Sequence, residues 1–207
     1  EPYKKLLRPE RELLLLYLFV GLDRAAWMMW FPMLGAYLVG LGYDEATIGL
    51  LVGASNLVET LCTPIMGKLT DRVGASRVLT VSEVAAMISA LTLIAAGSSL
   101  LYATTSMLFI GLSISSWIPA YNVYIAKIYE RLGETYATTN AIRSLAGIPA
   151  PYIGGLLSDA LAMQAPFIAS AFMLAATTML SLTSLYRIEC LKASRTEESR
   201  MVRNPRV

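Results

Sequence analysis

Six apolar stretches divide this chain, separated by short polar or charged segments: Leu13–Val39, Ala46–Met66, Val78–Ala96, Leu100–Ala126, Tyr136–Leu157 and Ala165–Tyr186. A bilayer core about 30 Å thick takes around 20 mostly apolar residues per helix, so each stretch predicts one membrane crossing. None shows the strict alternation of a half-buried strand. The predicted organisation is an arm at 1–12, a six-helix membrane domain at 13–186, and a polar, disordered tail at 187–207.

The polar segments alternate in charge. The connections 40–45, 97–99 and 158–164 contain no Lys or Arg. The arm (Lys4, Lys5, Arg8, Arg11), the second connection (Lys68, Arg72, Arg77), the fourth (Lys127, Arg131) and the tail (Arg187, Lys192, Arg195, Arg200, Arg203, Arg206) hold fifteen of the seventeen basic residues. By the positive-inside rule this predicts a multi-pass protein of the cell membrane with both termini in the cytoplasm. The first apolar run is too long for a signal-peptide core and has no small-residue cleavage site after it. A basic tail beside a membrane reflects topology and attraction to the lipid bilayer, so no nucleic-acid partner is expected.

Composition narrows the chemistry. The 207 residues are 56% hydrophobic and 15% charged, with no histidine. Mechanisms that need an imidazole, such as a Ser-His-Asp triad or a His-ligated metal, are therefore excluded. Cys62 and Cys190 make neither a metal site nor a plausible disulfide. No cofactor or metal is implied. The chain opens on Glu1 rather than Met, which suggests a fragment or a processed product.

Shifting the sequence on itself by 87 positions superposes Trp30 on Trp117, Pro32 on Pro119, Tyr37 on Tyr124, Ala54 on Ala141, Pro64 on Pro151 and Gly67 on Gly154. Five of these six pairs are Trp, Pro, Tyr or Gly, which recur by chance far less than Leu or Ala. One position later, Gly67-Lys68-Leu69-Thr70-Asp71 matches Gly155-Leu156-Leu157-Ser158-Asp159 in its Gly, Leu and Asp. Because three crossings reverse the chain's direction, the two copies must be inverted. The fold class is thus an all-α membrane protein of two inverted three-helix repeats, the pattern of secondary transporters.

The second connection reads Gly67-Lys68-Leu69-Thr70-Asp71-Arg72-Val73-Gly74-Ala75-Ser76-Arg77. It resembles the signature loop of the major facilitator superfamily, Gly-x-x-x-Asp-Arg-x-Gly followed by basic residues, and lies where that family places it. The resemblance implies a conformational latch at Gly67, Asp71, Arg72, Gly74 and Arg77, the usual terminal basic pair being reduced here to Arg77. The run from Gly147 to Gly155 looks like the family's Gly/Pro-rich fifth or eleventh helix. There Pro151, Gly154 and Gly155 are expected to bend and pack the helix, as Pro32 and Pro119 are expected to bend the first and fourth spans. Family members have two six-span halves. The resemblance therefore implies half a transporter, completed by a missing N-terminal half or a second copy. Phe109-Ile110-Gly111 replaces the first-half Arg-x-x-x-Gly motif, and the arm looks like the end of a central linker, so the C-terminal half is favoured.

Ionisable groups inside a membrane mark candidate sites, because each costs roughly 2.5 to 3.5 kcal/mol at a helix centre. Asp23 and Arg24 in the first span, Glu59 in the second and Arg143 in the fifth are expected to share one layer with Asn56. They are read as proton-coupling or substrate contacts, or as fixed ion pairs between helices. Glu83 is expected to reach the interface or a loop arginine. Trp27 and Trp30 follow Asp23 at helical offsets, and Trp117, Tyr121 and Tyr124 form a similar strip beside Asn122. These are faces suited to an amphipathic or cationic small-molecule solute, or to packing. The expected function is a proton-coupled secondary transporter working by alternating access, not an enzyme. A non-transporting six-span scaffold or regulatory subunit is the alternative.

Overall fold

A computed structural model describes residues 11–97, 99–129, 131–192 and 194. The helices are α1 (Arg11–Trp30), α2 (Leu34–Gly40), α3 (Glu45–Val73), α4 (Ala75–Ile94), α5 (Leu100–Ile128), α6 (Leu132–Gly147), α7 (Ala150–Ala160) and α8 (Ala165–Leu180). A 3-10 turn at Phe31–Met33 joins α1 to α2, and a π-helical turn at Ser181–Leu185 carries α8 onward. Five helical stretches are long and apolar enough to cross a membrane. The fifth crossing is built from α6 and α7, which are separated at Ile148–Pro149, so neither piece reaches that length alone. Six crossings result: α1 with α2, α3, α4, α5, α6 with α7, and α8.

Several boundaries differ from the hydropathy reading. The sixth crossing continues through Lys192, so 187–192 are helical; the rest of the expected tail, 194 apart, and the arm before Arg11 lie outside the described residues. The expected latch loop is mostly helix. α3 runs to Val73, α4 starts at Ala75, and Gly74 alone breaks them. Hydropathy placed the boundary at Met66 because the polar residues begin there, but a helix continues wherever its backbone bonds do. Gly74 makes the break at φ +100° and ψ 151°, a region essentially restricted to glycine. Pro32 lies in the 3-10 turn, where the helix is interrupted, whereas Pro119 sits inside the uninterrupted α5. The two repeat-related prolines therefore do not act alike.

Packing follows the inverted repeat. α3 packs on α5 and, correspondingly, α6 and α7 pack on α1; α4 packs on α5 as α8 packs on α1; and α4 meets α8 at the centre. The two tyrosines related by the repeat do equivalent work. Tyr37 OH donates to Leu93 O at 3.2 Å and Tyr124 OH to Leu185 O at 3.4 Å, each reaching the last crossing of its own repeat.

Two apolar clusters form the core, near opposite ends of the bundle. One contains Leu16, Phe19, Val20, Leu79 and Tyr124, the other Trp30, Leu38, Leu93, Met107 and Phe167. Between them lies a thin contact of Ala26, Ala86 and Leu174. Small residues set the helix spacing elsewhere. A Cβ on Gly154 would strike the backbone carbonyl of Met29, and one on Gly111 the carbonyl of Ser55. At Gly67, by contrast, the nearest atom would be Pro119 Cβ at 4.0 Å, and at Gly155 nothing lies within 4 Å. Close helix approach therefore rests on Gly154 and Gly111, not on Gly67 or Gly155.

Candidate functional site

The first crossing carries Asp23 between Val20, in one core cluster, and Ala26, in the thin central contact. Its carboxylate is 2% exposed, with Oδ2 3.9 Å from Nη2 of Arg143 on α6. That separation makes an ion pair but not a hydrogen bond. Among the described residues, Asp23 Oδ1 and Arg143 Nε have no hydrogen-bond partner. Arg143 also lies over the Trp117 ring at 4.0 Å and 5.9 Å from the Tyr121 ring. A partly buried guanidinium over indole is worth about 1–2 kcal/mol, so the cation is held by two kinds of attraction at once. Trp117 and Tyr121 stack at 4.4 Å, and Tyr121 OH donates to Thr139 at 2.6 Å, which fixes the aromatic face against the fifth crossing.

The structure thus brings together Asp23, Arg143, Trp117 and Tyr121 from three crossings. Arg24 lies alongside. Its Cγ stands 3.3 Å from where a Cβ on Gly147 would be, and its charge acts on Asp23. Glu59 does not join this layer. It sits part-buried on α3 one turn from the exposed Asn56, and among the described residues it has no ion pair. The reason is geometric: α3 buries only Leu51, Ser55 and Thr70, so most of its surface, Leu50, Leu57 and Leu61 included, faces away from the bundle. Glu83 was expected to reach the interface or a loop arginine and is instead 1% exposed, with its Oε2 within hydrogen-bond distance of Thr177 Oγ1. Spacing along α4 does not reveal this, because burial of Glu83 depends on α8 covering it.

The aromatic strips also divide. Trp27 and Trp30 stack at 5.4 Å, but Trp30 is buried against Phe167 in the core. Tyr124 turns towards the sixth crossing, away from Tyr121. Asn122 is exposed and accepts from Tyr136 OH. A shallow apolar cavity of about 350 Å³ lies between α1, α7 and α8, lined by Tyr17, Gly21, Met29, Pro149 and Met173. It lacks every charged group named above, so the polar cluster and not this groove is the candidate site.

In the segment expected to act as a latch, Asp71 and Arg72 are exposed at the end of α3, while Arg77 donates to Tyr186 OH at 2.9 Å and lies over its ring. The group that grips this segment is Glu189, which sequence reading missed because it falls in the presumed tail. Its carboxylate accepts from Ala75 N and Ser76 N, both at 2.9 Å, and from Ser76 Oγ at 2.6 Å. An acid on a helix N-terminus satisfies otherwise unpaired amides and favours the helix dipole.

Six membrane crossings in two inverted repeats, with a buried ion pair between the repeats, define a polytopic membrane protein of the transporter class. The chain belongs to the Major Facilitator Superfamily, whose sequence profile matches residues 13–203. It is therefore of a transporter family and not an enzyme family. Among curated relatives it is similar to the multi-drug resistance efflux pump PmrA of Streptococcus pneumoniae, in two strains, with 28% identity over 156 residues. The match covers 73% of this chain and 39% of the relative, so the chain corresponds to less than half of that pump.

Proposed function

We propose that this chain forms one six-helix half of a proton-coupled secondary transporter that moves an amphipathic or cationic organic solute by alternating access. The observation that carries the reading is the Asp23–Arg143 pair, a buried carboxylate 3.9 Å from a guanidinium, with one oxygen unpartnered among the described residues and the cation also lying over the Trp117 ring. A carboxylate buried in this way either keeps its charge by pairing or takes up a proton. Protonation of Asp23 cancels its attraction for Arg143 and frees the link between the first and fifth crossings. A cationic solute acts on the same link by competing for the carboxylate. Trp117 and Tyr121 supply a surface for its apolar part. The similar efflux pump supports an organic solute and outward movement.

The partner is a second half or a second copy, seated on the exposed apolar faces of the second and fifth crossings, which include Leu50, Leu61, Leu145, Ile148 and Tyr152. The asymmetric distribution of Lys and Arg supports a cell-membrane location with cytoplasmic termini. Proteoliposomes made with the natural full-length protein and loaded with a fluorescent organic cation test the reading. Asp23→Asn abolishes movement against the gradient driven by protons and spares downhill exchange. Unaltered proton-driven transport in Asp23→Asn overturns it.

A further inference from the structure

Thr177 Oγ1 lies within hydrogen-bond distance of two acceptors, Glu83 Oε2 and the carbonyl of Leu174, the latter at 2.9 Å. A hydroxyl has one proton to give. If Glu83 is a carboxylate, that one proton is divided between two acceptors in a three-centre bond, which leaves the charge poorly satisfied at a site that is 0% exposed at Thr177 and 1% at Glu83. If Glu83 carries a proton, the chain closes: Glu83 donates to Thr177 Oγ1, and Thr177 donates to Leu174 O. Charge counting agrees. No Lys or Arg occurs in the fourth span (100–126) or the sixth (165–186), so neither offers Glu83 a counter-charge. The charges that act on it are Asp23 from the first crossing and Arg143 from the fifth, and Arg143 is already paired with Asp23. Two buried acids thus face one paired cation, and burying a second unpaired charge would be severely unfavourable.

Asp23, Glu83 and Thr177 each stand three residues from Ala26, Ala86 and Leu174, which touch one another. The three polar groups are therefore neighbours one helical turn from that contact. Asp23 Oδ1 and Glu83 Oε1 are both buried without a hydrogen-bond partner among the described residues.

We propose that Glu83 is a proton-binding site, occupied in the state seen here, and that its proton passes to Asp23 in the transport cycle. In the transfer, the O–H bond at Glu83 breaks and one forms at Asp23 Oδ1. The negative charge moves from Asp23 to Glu83, and the Thr177 hydroxyl turns from Leu174 O to the new carboxylate. Net charge is unchanged, and Asp23, now neutral, releases Arg143. The third and sixth crossings thereby gain control over the ion pair between the first and fifth. The transfer rests on the transport reading above; proton occupancy of Glu83 does not.

Infrared spectroscopy of the natural full-length protein in lipid vesicles at neutral pH tests the site. The carbonyl band of an un-ionised carboxylic acid is expected, lost in Glu83→Gln and shifted but retained in Thr177→Val. A band that survives Glu83→Gln, or one that Thr177→Val leaves unmoved, overturns the assignment. Transport tests the transfer: Glu83→Gln loses proton-driven accumulation and keeps downhill exchange, and intact accumulation overturns it. Should the wild type move no solute while the band still vanishes in Glu83→Gln, the transport reading fails and the proton site stands.

Discussion

Asp23 and Arg143 come from different repeats, and their ion pair is the electrostatic link between the first and fifth crossings. At 3.9 Å, and with Asp23 almost wholly buried, the pair sits close to the balance where desolvation offsets Coulomb attraction. In the function proposed above, this is the link that one proton releases.

Breaking it from one side strands a charge. Arg143→Leu is expected to destabilise the protein in detergent by about 3 kcal/mol, because of the two cations that act on Asp23 among the described residues the half-buried Arg24 alone then remains. The double substitution Asp23→Asn with Arg143→Leu should recover most of that loss without recovering coupled transport. Thermal unfolding followed by tryptophan fluorescence measures the cycle; additive single effects would show that the two residues do not interact.

Neighbouring glycines should behave differently. Gly154→Ala places a methyl against the Met29 carbonyl and must push α7 from α1, so a loss of about 1–3 kcal/mol is expected. Gly155→Ala meets open space and should be neutral or slightly stabilising, since alanine favours helix. Gly111→Ala should resemble Gly154→Ala, for the same reason at Ser55. Unfolding midpoints of the three variants in one detergent decide this.

The break between α3 and α4 needs glycine twice over. Gly74→Ala is expected to cost about 1–3 kcal/mol for its backbone conformation alone, and its Cβ would lie 3.3 Å from Glu189 Oε1. Glu189→Ala should release the start of α4 and speed amide hydrogen exchange at Ala75 and Ser76 without affecting Leu93, near the other end of that helix. Equal exchange at both ends would remove Glu189 from this role.

A pH dependence is expected at the N-terminus of α3. Asp44 accepts from the Thr47 side chain and from Thr47 N, the latter at 2.7 Å, and these hydrogen bonds hold its carboxyl below the ordinary value of 3.8. A depressed value means that the cap stabilises the folded state fully above that ordinary value and that this is lost as pH falls through the lower, folded one. Asp44→Asn keeps an acceptor for Thr47 and should make hydrogen exchange in the first turn of α3 insensitive to acid. Identical acid sensitivity in both proteins would exclude the cap as its source.

Hydropathy was enough to determine six crossings and their approximate limits, because the bilayer demands long apolar helices whatever their neighbours are. Trp30, Pro32 and Tyr37 with their partners 87 positions on also carried the symmetry, later expressed in the paired bonds of Tyr37 and Tyr124. Which polar groups meet was decided only by tertiary structure. Glu59 and Glu83 look alike in sequence, each a lone acid in an apolar run, yet one stays part-buried on the sparsely covered α3 and the other is sealed beneath Thr177. Glu189 lies among charged residues, where hydropathy stops, but the sixth helix carries it to the start of α4. The physical reason is the same in each case: hydropathy reports that a residue is in or near the membrane, whereas burial, pairing and charge state depend on the facing helix.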